Sequence, residues 1–362
     1  MLKILAISGG SLVGQNLLEA LAGRRNLLEL VGTNSHPDEP CLYEYDRVYL
    51  TPPTLAEPEA FSARLQRILE IEQPDLIIPC RDDDVVWLAG MGERQPEWAP
   101  RLLCGSQSAA RIMQDKELSW RFALKWQLPF VPSFAASACV PDLPAELTFP
   151  LLAKPRAGFA SRGIFLLSRP EQLAAVTALP DYIIQPWIGS GETLEAFYHQ
   201  LSLFGLPLFH SFEGPKYAIQ MLLGPAGMLT EPFCSLHLMV AGVSRHLEAI
   251  ADPELRRIGR DCGRAFAQAG WRGPLNIQCL QDTKGIFWIH EFSGRLTGAT
   301  AARWHLGYDE IGHCVESLLG QPFVSLPPIA ERIERQLICR PMLQDRRTEL
   351  ERSGEWKLSS EQ

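Results

Sequence analysis

Apolar runs and helical patterns alternate along the first part of the chain. A continuous apolar run over residues 2–8 is typical of a buried strand, and the apolar spacing over 12–21 is helical. The same reasoning predicts a strand over 28–33, a helix over 61–72 and a proline-bounded strand over 74–79. This alternation predicts a doubly wound parallel sheet in an N-terminal domain over residues 1–110.

The rest of the chain predicts two smaller α+β lobes and a tail. A helix over 108–126 is followed by a proline-rich stretch and by a strand, a glycine-containing loop, a strand, a helix and a strand over 151–187. Further on we expect a hairpin over 194–209 with its turn at Gly205-Leu206-Pro207, a helix over 253–269, and strands over 275–280 and 286–291. The predicted units are a linker helix and lid over 111–188, a C-terminal lobe over 189–320, and an extension over 321–362 whose tip is mobile.

Composition and charge exclude several classes of protein. The 362 residues are 46% hydrophobic and 21% charged, which excludes a disordered or fibrous chain. The net charge of −8 gives no footprint for a nucleic-acid backbone. No apolar run approaches the roughly 18 residues that a membrane span requires. Nine cysteines without a C-x-x-C pair indicate reduced thiols in a soluble, cytoplasmic protein.

The first glycine cluster, Gly9-Gly10-Ser11-Leu12-Val13-Gly14, lies between a predicted strand and helix, where backbone amides could bind a phosphate. Ser11 replaces the central glycine of a dinucleotide fingerprint, and Asn34 ends the next strand where an acid would bind a ribose. We therefore interpret the cluster as a tight strand–helix turn. A nicotinamide-dependent dehydrogenase or epimerase is the alternative.

Several charged residues have two open interpretations. Arg81-Asp82-Asp83-Asp84 follows a strand, either as a helix N-terminus with complementary acids or as a lining for the substrate end of a cleft. Lys216 and Arg303 are candidates for a substrate carboxylate, although solvated surface charges are the default. His290 should alternate to the strand face opposite Glu291, which argues against a zinc site.

An ordered set of residues suits nucleotide chemistry. Asp115-Lys116 precedes a stretch over 150–164 in which Lys154 ends a strand and a loop of small residues follows, and such a loop can close over phosphates. The segment Gln185-Pro186-Trp187-Ile188 could offer its backbone to an adenine edge, and Glu192 could bind ribose hydroxyls. Gln278 and Glu291 on neighbouring strands supply oxygen ligands of the kind that Mg²⁺ prefers.

These motifs, in this order over about residues 1–310, resemble the ATP-grasp superfamily, specifically carboxylate-amine ligases similar to the carbamoyl-phosphate synthase large chain. The resemblance implies an N-terminal pre-ATP-grasp domain followed by a two-lobed ATP-grasp fold. It also implies a role for each motif residue: phosphate contacts from Lys116 and Lys154, a covering loop containing Ser161 and Gly163, nucleoside contacts from Gln185, Trp187, Ile188 and Glu192, Mg²⁺ (or Mn²⁺) ligands Gln278, Glu291 and Ser293, and catalytic groups Arg295 and Lys154.

The implied reaction is phosphoryl transfer from ATP to a small-molecule carboxylate, giving an acylphosphate that an amine attacks, with ADP and phosphate released. The expected partners are ATP and these substrates, without nucleic acid or membrane, and a homodimer is among the expected assemblies. Ser293 stands where the family usually has a metal-binding asparagine, and Gln185 where it has an acid. These two departures keep open the alternative of an ATP-binding regulatory module or pseudoenzyme.

Overall fold

The N-terminal part of the chain forms a five-stranded sheet with helices on its faces. The computed structural model describes residues 1–139, 142–158, 162–205, 214–240, 243–320, 322–323, 327–336 and 338–358. The strand order is β16-β3-β2-β1-β4, and the strands are β1 (Leu2–Ile7), β2 (Leu28–Asn34), β3 (Arg47–Leu50), β4 (Leu76–Pro79) and β16 (Glu355–Lys357). Strands β1 to β4 are parallel, as predicted, and β16 is an antiparallel edge strand. The connecting helices are α1 (Leu12–Leu21), α2 (Pro58–Glu72) and α3 (Asp82–Arg94).

The second sheet is a small antiparallel lid. Its order is β5-β8-β6-β7, and its elements are β5 (Phe134–Ala135), β6 (Leu151–Pro155), β7 (Phe165–Leu167), α6 (Pro170–Val176) and β8 (Tyr182–Pro186). A separate apolar core that includes Leu151, Leu173 and Ile184 holds α6 against the sheet. The predicted succession of strand, loop, strand, helix and strand is confirmed.

The third sheet is the largest, and its two faces differ in chemistry. Its order is β14-β13-β9-β11-β12-β15, with β10 paired to β9; the strands are β9 (Lys216–Gly224), β10 (Gly227–Met228), β11 (Phe233–Val240), β12 (Val243–Ala249), β13 (Gly273–Gln281), β14 (Phe287–Ser293) and β15 (Arg332–Glu334). Ile219 and Met221 of β9 and Phe266 of helix α8 (Pro253–Gln268) belong to one apolar core. The alternate residues Lys216, Ala218 and Gln220 lie on the other face, because side chains alternate along a strand.

Two predicted elements are wrong. The predicted helix over 108–126 is two helices, α4 (Gln107–Gln114) and α5 (Lys116–Trp126), because Asp115 accepts hydrogen bonds from the amides of Glu117 and Leu118 and so caps α5. The predicted hairpin over 194–209 is instead helix α7 (Gly191–Phe204) in its described part, and residues 206–209 lie outside the described part. Its leucines and phenylalanine at 194, 197 and 201 have helical spacing.

The C-terminal segment ties the first sheet to the third. Helices α9 (Thr300–His305) and α10 (Glu310–Leu319) precede it, and α11 (Gln344–Ser353) lies within it. We call residues 332–358 the C-terminal strap; residue 337 of the strap is not described. Strand β15 at one end pairs with β12, and β16 at the other end pairs with β3. The described part of the predicted extension thus contains regular structure as far as Lys357, and the predicted mobile tip over 359–362 lies outside the described residues.

A close backbone contact joins the N-terminal domain to β13. A Cβ atom at Gly105 would lie 2.3 Å from the backbone nitrogen of Arg272, so only glycine allows this approach. Arg272 also donates to the Leu102 carbonyl at 2.8 Å. The N-terminal sheet is therefore held against the third sheet at a fixed position. None of the described helices is long and apolar enough to cross a membrane. Of the nine thiols, eight are buried and Cys339 is exposed.

Removal of the Trp356 side chain should destabilise the strap. Trp356 is buried and packs edge-on against Tyr43 with ring centroids 5.5 Å apart. Trp356→Ala should lower the free energy of unfolding by about 3–5 kcal/mol, because a large buried aromatic group is lost. Urea unfolding followed by circular dichroism measures this change. Lys357→Ala, at an exposed neighbouring position, is the control. Equal unfolding midpoints for both variants would contradict a stabilising role for β16.

Candidate active site

Two lysines from different elements meet at the start of the cleft between the lid and the third sheet. Lys154 lies in β6 and is 6% exposed; Lys116 begins α5 and is 7% exposed. The Lys116 ammonium donates to the Gly158 carbonyl at 3.4 Å, and the Lys116 amide donates to the Arg156 carbonyl at 3.0 Å. Burial, and then the positive charge of Lys116, lower the pKa of Lys154 to about 7. Among the described residues, Lys154 has no hydrogen bond or ion pair.

The loop after β6 is anchored on α5. Arg156 forms ion pairs with Asp115 at 2.7 Å and with Glu117 at 2.8 Å, which fixes the start of the loop beside Lys116. At the far end, Gly163 has a φ of +71°, and its carbonyl accepts a hydrogen bond from the Tyr182 hydroxyl at 2.9 Å. Ser161, which the sequence predicts to contact phosphate, lies outside the described residues, so its role stays a prediction.

A third lysine faces the same cleft. Lys216 begins β9, and its positive charge contributes to lowering the pKa of Lys154. It pairs across the strands with His237, whose ring nitrogens lie 2.9 Å from the Ser235 hydroxyl and 3.0 Å from the Ser244 hydroxyl. Burial, followed by nearby positive charge, lowers the pKa of His237 to about 3, so this imidazole is neutral near pH 7. Lys216 is therefore not an isolated solvated surface charge, because it lies in a cleft with other positive charges.

The predicted metal ligands Gln278 and Glu291 are direct cross-strand neighbours on β13 and β14. A β-bulge shifts the register next to this pair, because Cys279 pairs with Ile289 and leaves His290 without an opposite residue. Ile289 and Phe292 both lie in the apolar core although they are three residues apart. The expectation that His290 lies on the face opposite Glu291 is therefore wrong. Both side chains face the cleft, and burial and the nearby lysines lower the pKa of His290.

An acid from the N-terminal domain holds the end of β14. Asp82, the first residue of α3, accepts hydrogen bonds from the Ser293 hydroxyl at 3.0 Å and from the Arg295 guanidinium at 2.9 Å. Asp84, in contrast, accepts from the Arg81 amide at 3.1 Å and caps the helix. The helix N-terminus interpretation therefore holds for Asp84, and the interpretation of the segment as a lining for the substrate end of a cleft stays a prediction. Arg295 has a raised pKa: burial opposes the charge, and Asp82 outweighs it.

The predicted nucleoside contacts lie at the end of β8 and just beyond it. The Gln185 amide donates to the Ser133 hydroxyl at 2.6 Å, so this buried side chain is directed toward the linker before β5. The Trp187 amide donates to the Pro150 carbonyl at 3.2 Å, and Ile188 is half-buried. Glu192 lies in the first turn of α7 and is exposed. Their roles toward a nucleoside stay predictions.

Two other candidates are settled by packing. In the 9–14 turn, a Cβ atom at Gly14 would lie 1.9 Å from the Gly9 carbonyl oxygen, and one at Gly9 would lie 2.8 Å from the Tyr45 hydroxyl. Protein atoms lie directly against Gly9 and Gly14, which supports the tight-turn interpretation. Arg303 is fully buried and pairs with Glu310 at 2.7 Å, so the default of a solvated charge is wrong and a structural ion pair replaces it.

The cleft suits a polyanion with a divalent cation. Within the described ranges, no group of three or more His, Cys, Asp or Glu side chains converges on one point. A metal here would therefore depend on Glu291, the Gln278 amide oxygen and ligands from a bound phosphate chain, which is a donor set that Mg²⁺ accepts. The unpaired buried ammonium of Lys154 fits the same interpretation, because a buried cation requires a compensating anion.

The sequence analysis did not predict the β-bulge at His290 or the hydrogen bonds that Asp82 accepts from Ser293 and Arg295. The bulge has a signal in the sequence, since the apolar residues Ile289 and Phe292 break the two-residue alternation of the strand. Asp82 was one of three consecutive acids, and nothing in the pattern distinguishes it from Asp83 or Asp84. Ser133 also lacks a local signal, because its partner Gln185 is distant in the chain.

No family model matches the sequence, and no curated protein matches it. Solved structures do match. N5-carboxyaminoimidazole ribonucleotide synthetase from Thermotoga maritima shares 16% identity at a TM-score of 0.61, covering 90% of this chain and 78% of that enzyme. Biotin carboxylase from Campylobacter jejuni, solved as a complex with β-γ-ATP, shares 16% identity at a TM-score of 0.64, covering 91% and 73%. L-amino acid ligase from Bacillus licheniformis shares 14% identity at a TM-score of 0.60, covering 88% and 74%.

These similarities define the class of fold: an N-terminal α/β domain followed by a lid and a larger antiparallel sheet. The chain has the ATP-grasp fold, and the expected fold class is confirmed.

Nucleotide binding should be accompanied by proton uptake at Lys154. Its pKa of about 7 lies below the ordinary value of 10.5, so the Lys154 side chain is mostly a neutral amine at pH 8. A bound polyphosphate stabilises the charged form, so ATP binding should take up about one proton at pH 8 and far less at pH 6. Calorimetry in buffers of different ionisation enthalpy measures this uptake.

Two lysine substitutions test whether Lys154 is the group that takes up the proton. Lys154→Met should abolish the buffer dependence at pH 8 and weaken ATP binding. Lys284→Met, at an exposed turn, should change neither. Buffer-independent binding by the wild-type protein at pH 8 would rule out Lys154 as the titrating contact.

Proposed function

We propose that this protein is an ADP-forming ligase that activates a small-molecule carboxylate with ATP and joins it to an amine. The observation that carries the proposal is the convergence of Lys116, Lys154 and Lys216 on the cleft beside Glu291. Three ammonium groups around one largely buried space suit a ligand with several negative charges, such as a triphosphate. The solved enzymes that share the fold include a ligase of amino acids, which supports this reaction class.

In the proposed reaction, the lysines hold the phosphates of ATP and neutralise charge as the terminal phosphoryl group moves to the carboxylate. The loop over 157–163 closes on the phosphates and excludes water, which would otherwise hydrolyse the acylphosphate. Arg295 stabilises the oxygens of the transferring group, and Asp82 orients its guanidinium. The amine then attacks the acyl carbon, a C–N bond forms, and the C–O bond to phosphate breaks.

Glu291 and Gln278 would hold Mg²⁺, with Mn²⁺ as the alternative, and the ion would neutralise charge on the phosphate oxygens. Ser293 contributes differently from the family asparagine. Its hydroxyl donates to Asp82, so we assign it a structural role at the end of β14 rather than a primary place in the metal site. Trp187, Ile188 and Glu192 would contact the nucleoside, and Gln185 would support them from the lid sheet.

The loss of the family asparagine favours one alternative, a module that binds ATP without turning it over. ATP hydrolysis by the protein alone should be slow in either case, because a closed cleft excludes water. The two functions differ in their response to substrates. A true ligase forms ADP faster when the correct carboxylate is added, and forms an amide only when the amine is also present.

A screen of carboxylate and amine pairs tests the reaction. We expect ADP and inorganic phosphate as the nucleotide products, and an amide or peptide detected by mass spectrometry. Omitting the carboxylate should reduce ADP formation at least about tenfold. AMP and pyrophosphate would refute the acylphosphate route. Tight ATP binding with no turnover across the panel would establish the binding module instead.

Asp82 should act through Arg295. Asp82→Ala removes the partner that orients the guanidinium, so ADP formation should fall by about 10- to 100-fold in kcat while the KM for ATP changes little. Asp82→Asn, which keeps hydrogen-bond acceptance, should restore part of the loss.

Asp83→Asn is the matched control, since Asp83 accepts from Gln114 and, within the described residues, has no hydrogen bond or ion pair with β14. A raised KM for ATP with an unchanged kcat in Asp82→Ala would instead assign Asp82 to nucleotide binding.

A further inference from the structure

A second cavity lies outside the cleft, between the first βα turn and the C-terminal strap. Its volume is about 320 Å³, at the small end of ligand pockets. Gly10, Leu12 and Gln15 form one wall, at the carboxyl end of β1. Ile338 and Arg340 of the strap form the opposite wall. The carboxyl ends of parallel strands are where open α/β sheets bind ligands.

The strap is anchored on both sides of this cavity. Strand β15 pairs with β12 before it and β16 pairs with β3 after it. Between these strands Arg340 forms an ion pair with Glu44, and Arg347 pairs with Asp38 at 2.5 Å. The strap thus holds its own residues over the turn, and the cavity exists only because the chain continues beyond α10.

The charged groups of the cavity suit a zwitterion. Arg340 lines the cavity, and its guanidinium carries further donors beyond the one that pairs with Glu44. Glu39 lies at the exposed rim and, in the same described part, pairs with no cation. A guanidinium with a spare donor suits a carboxylate, and an unpaired acid suits an ammonium. Leu12, Pro40 and Ile338 offer an apolar surface between them.

The cavity also borders the proposed active site. A Cβ atom at Gly298 would lie 2.7 Å from the Leu12 side chain, so Leu12 packs directly on the loop that follows β14. Gly298 is three residues beyond Arg295 in the chain. A ligand against Leu12 is therefore next to the loop that carries the proposed catalytic arginine.

We propose that this cavity binds a free α-amino acid with an apolar side chain. Arg340 binds its carboxylate, Glu39 binds its ammonium, and the side chain packs on Leu12 and Ile338. This binding does not depend on the proposed function, since the cavity lies apart from the lysine cleft and is lined by none of its lysines.

Calorimetry with the full-length protein tests the site, with and without a non-hydrolysable ATP analogue. The probes are L-leucine, L-isoleucine, L-valine, L-methionine and L-phenylalanine, each measured alone. We expect at least one to bind, and its amide and its deaminated acid to bind at least about tenfold more weakly. Binding of the ATP analogue is a separate readout, so its failure would count against the proposed function alone.

Variants locate the binding. Arg340→Gln should weaken amino-acid binding about tenfold or more and leave binding of the amino-acid amide unchanged. Glu39→Gln should remove the preference for the amino acid over its deaminated acid. Ile338→Trp fills the cavity without removing a charge and should abolish binding. This variant keeps the proposal testable if Arg340→Gln does not fold.

Arg352→Gln on the exposed side of the strap is the control and should leave binding unchanged. Absence of binding by every probe in both nucleotide conditions would overturn the proposal. Binding that Arg340→Gln and Ile338→Trp leave unchanged would overturn it as well.

Discussion

The burial of Lys154 beside two other lysines is the constraint on which the cleft depends. Burial, and then the positive charges of Lys116 and Lys216, make Lys154 lose much of its affinity for a proton. The lowered pKa corresponds to a penalty on the order of 5 kcal/mol for charging Lys154 in the empty cleft. Between pH 7 and 10.5 the unfolded chain binds more protons than the folded one, so this penalty falls as the pH rises.

The β-bulge at His290 allows one strand to serve both the core and the cleft. Ile289 and Phe292 fill the core, and the extra residue places His290 and Glu291 together on the polar face. The backbone of Ile289 also bonds to the linker, through Pro129 at 2.7 Å and Val131 at 2.8 Å. Ser133, two residues on, accepts from Gln185 of the lid. The position of the lid is thus connected to the strand that carries Glu291.

The sequence predicts the parts of this protein whose signals are local. The strands of the first sheet, helix α8 and the lid follow from periodicity, and Lys116 and Lys154 follow from ordered motifs. The prediction of a hairpin over 194–209 is wrong because it gave more weight to the glycine–proline turn signal than to the helical spacing of Leu194 and Leu201. Strand β16 was missed because three residues, Glu355 to Lys357, carry no pattern, and only their partner β3 makes them a strand.

Long-range contacts also explain why the departures in the motif need not impair the site. Ser293 and Arg295 are both bound to Asp82, which lies more than two hundred residues earlier in the chain. A shorter hydroxyl leaves room for this carboxylate, whereas an asparagine in the same buried position would compete for the space beside it. The end of β14 therefore takes its geometry from the N-terminal domain. Because Gly105 fixes that domain against β13, the orientation of Arg295 depends on the contact between the two sheets as well as on its own loop.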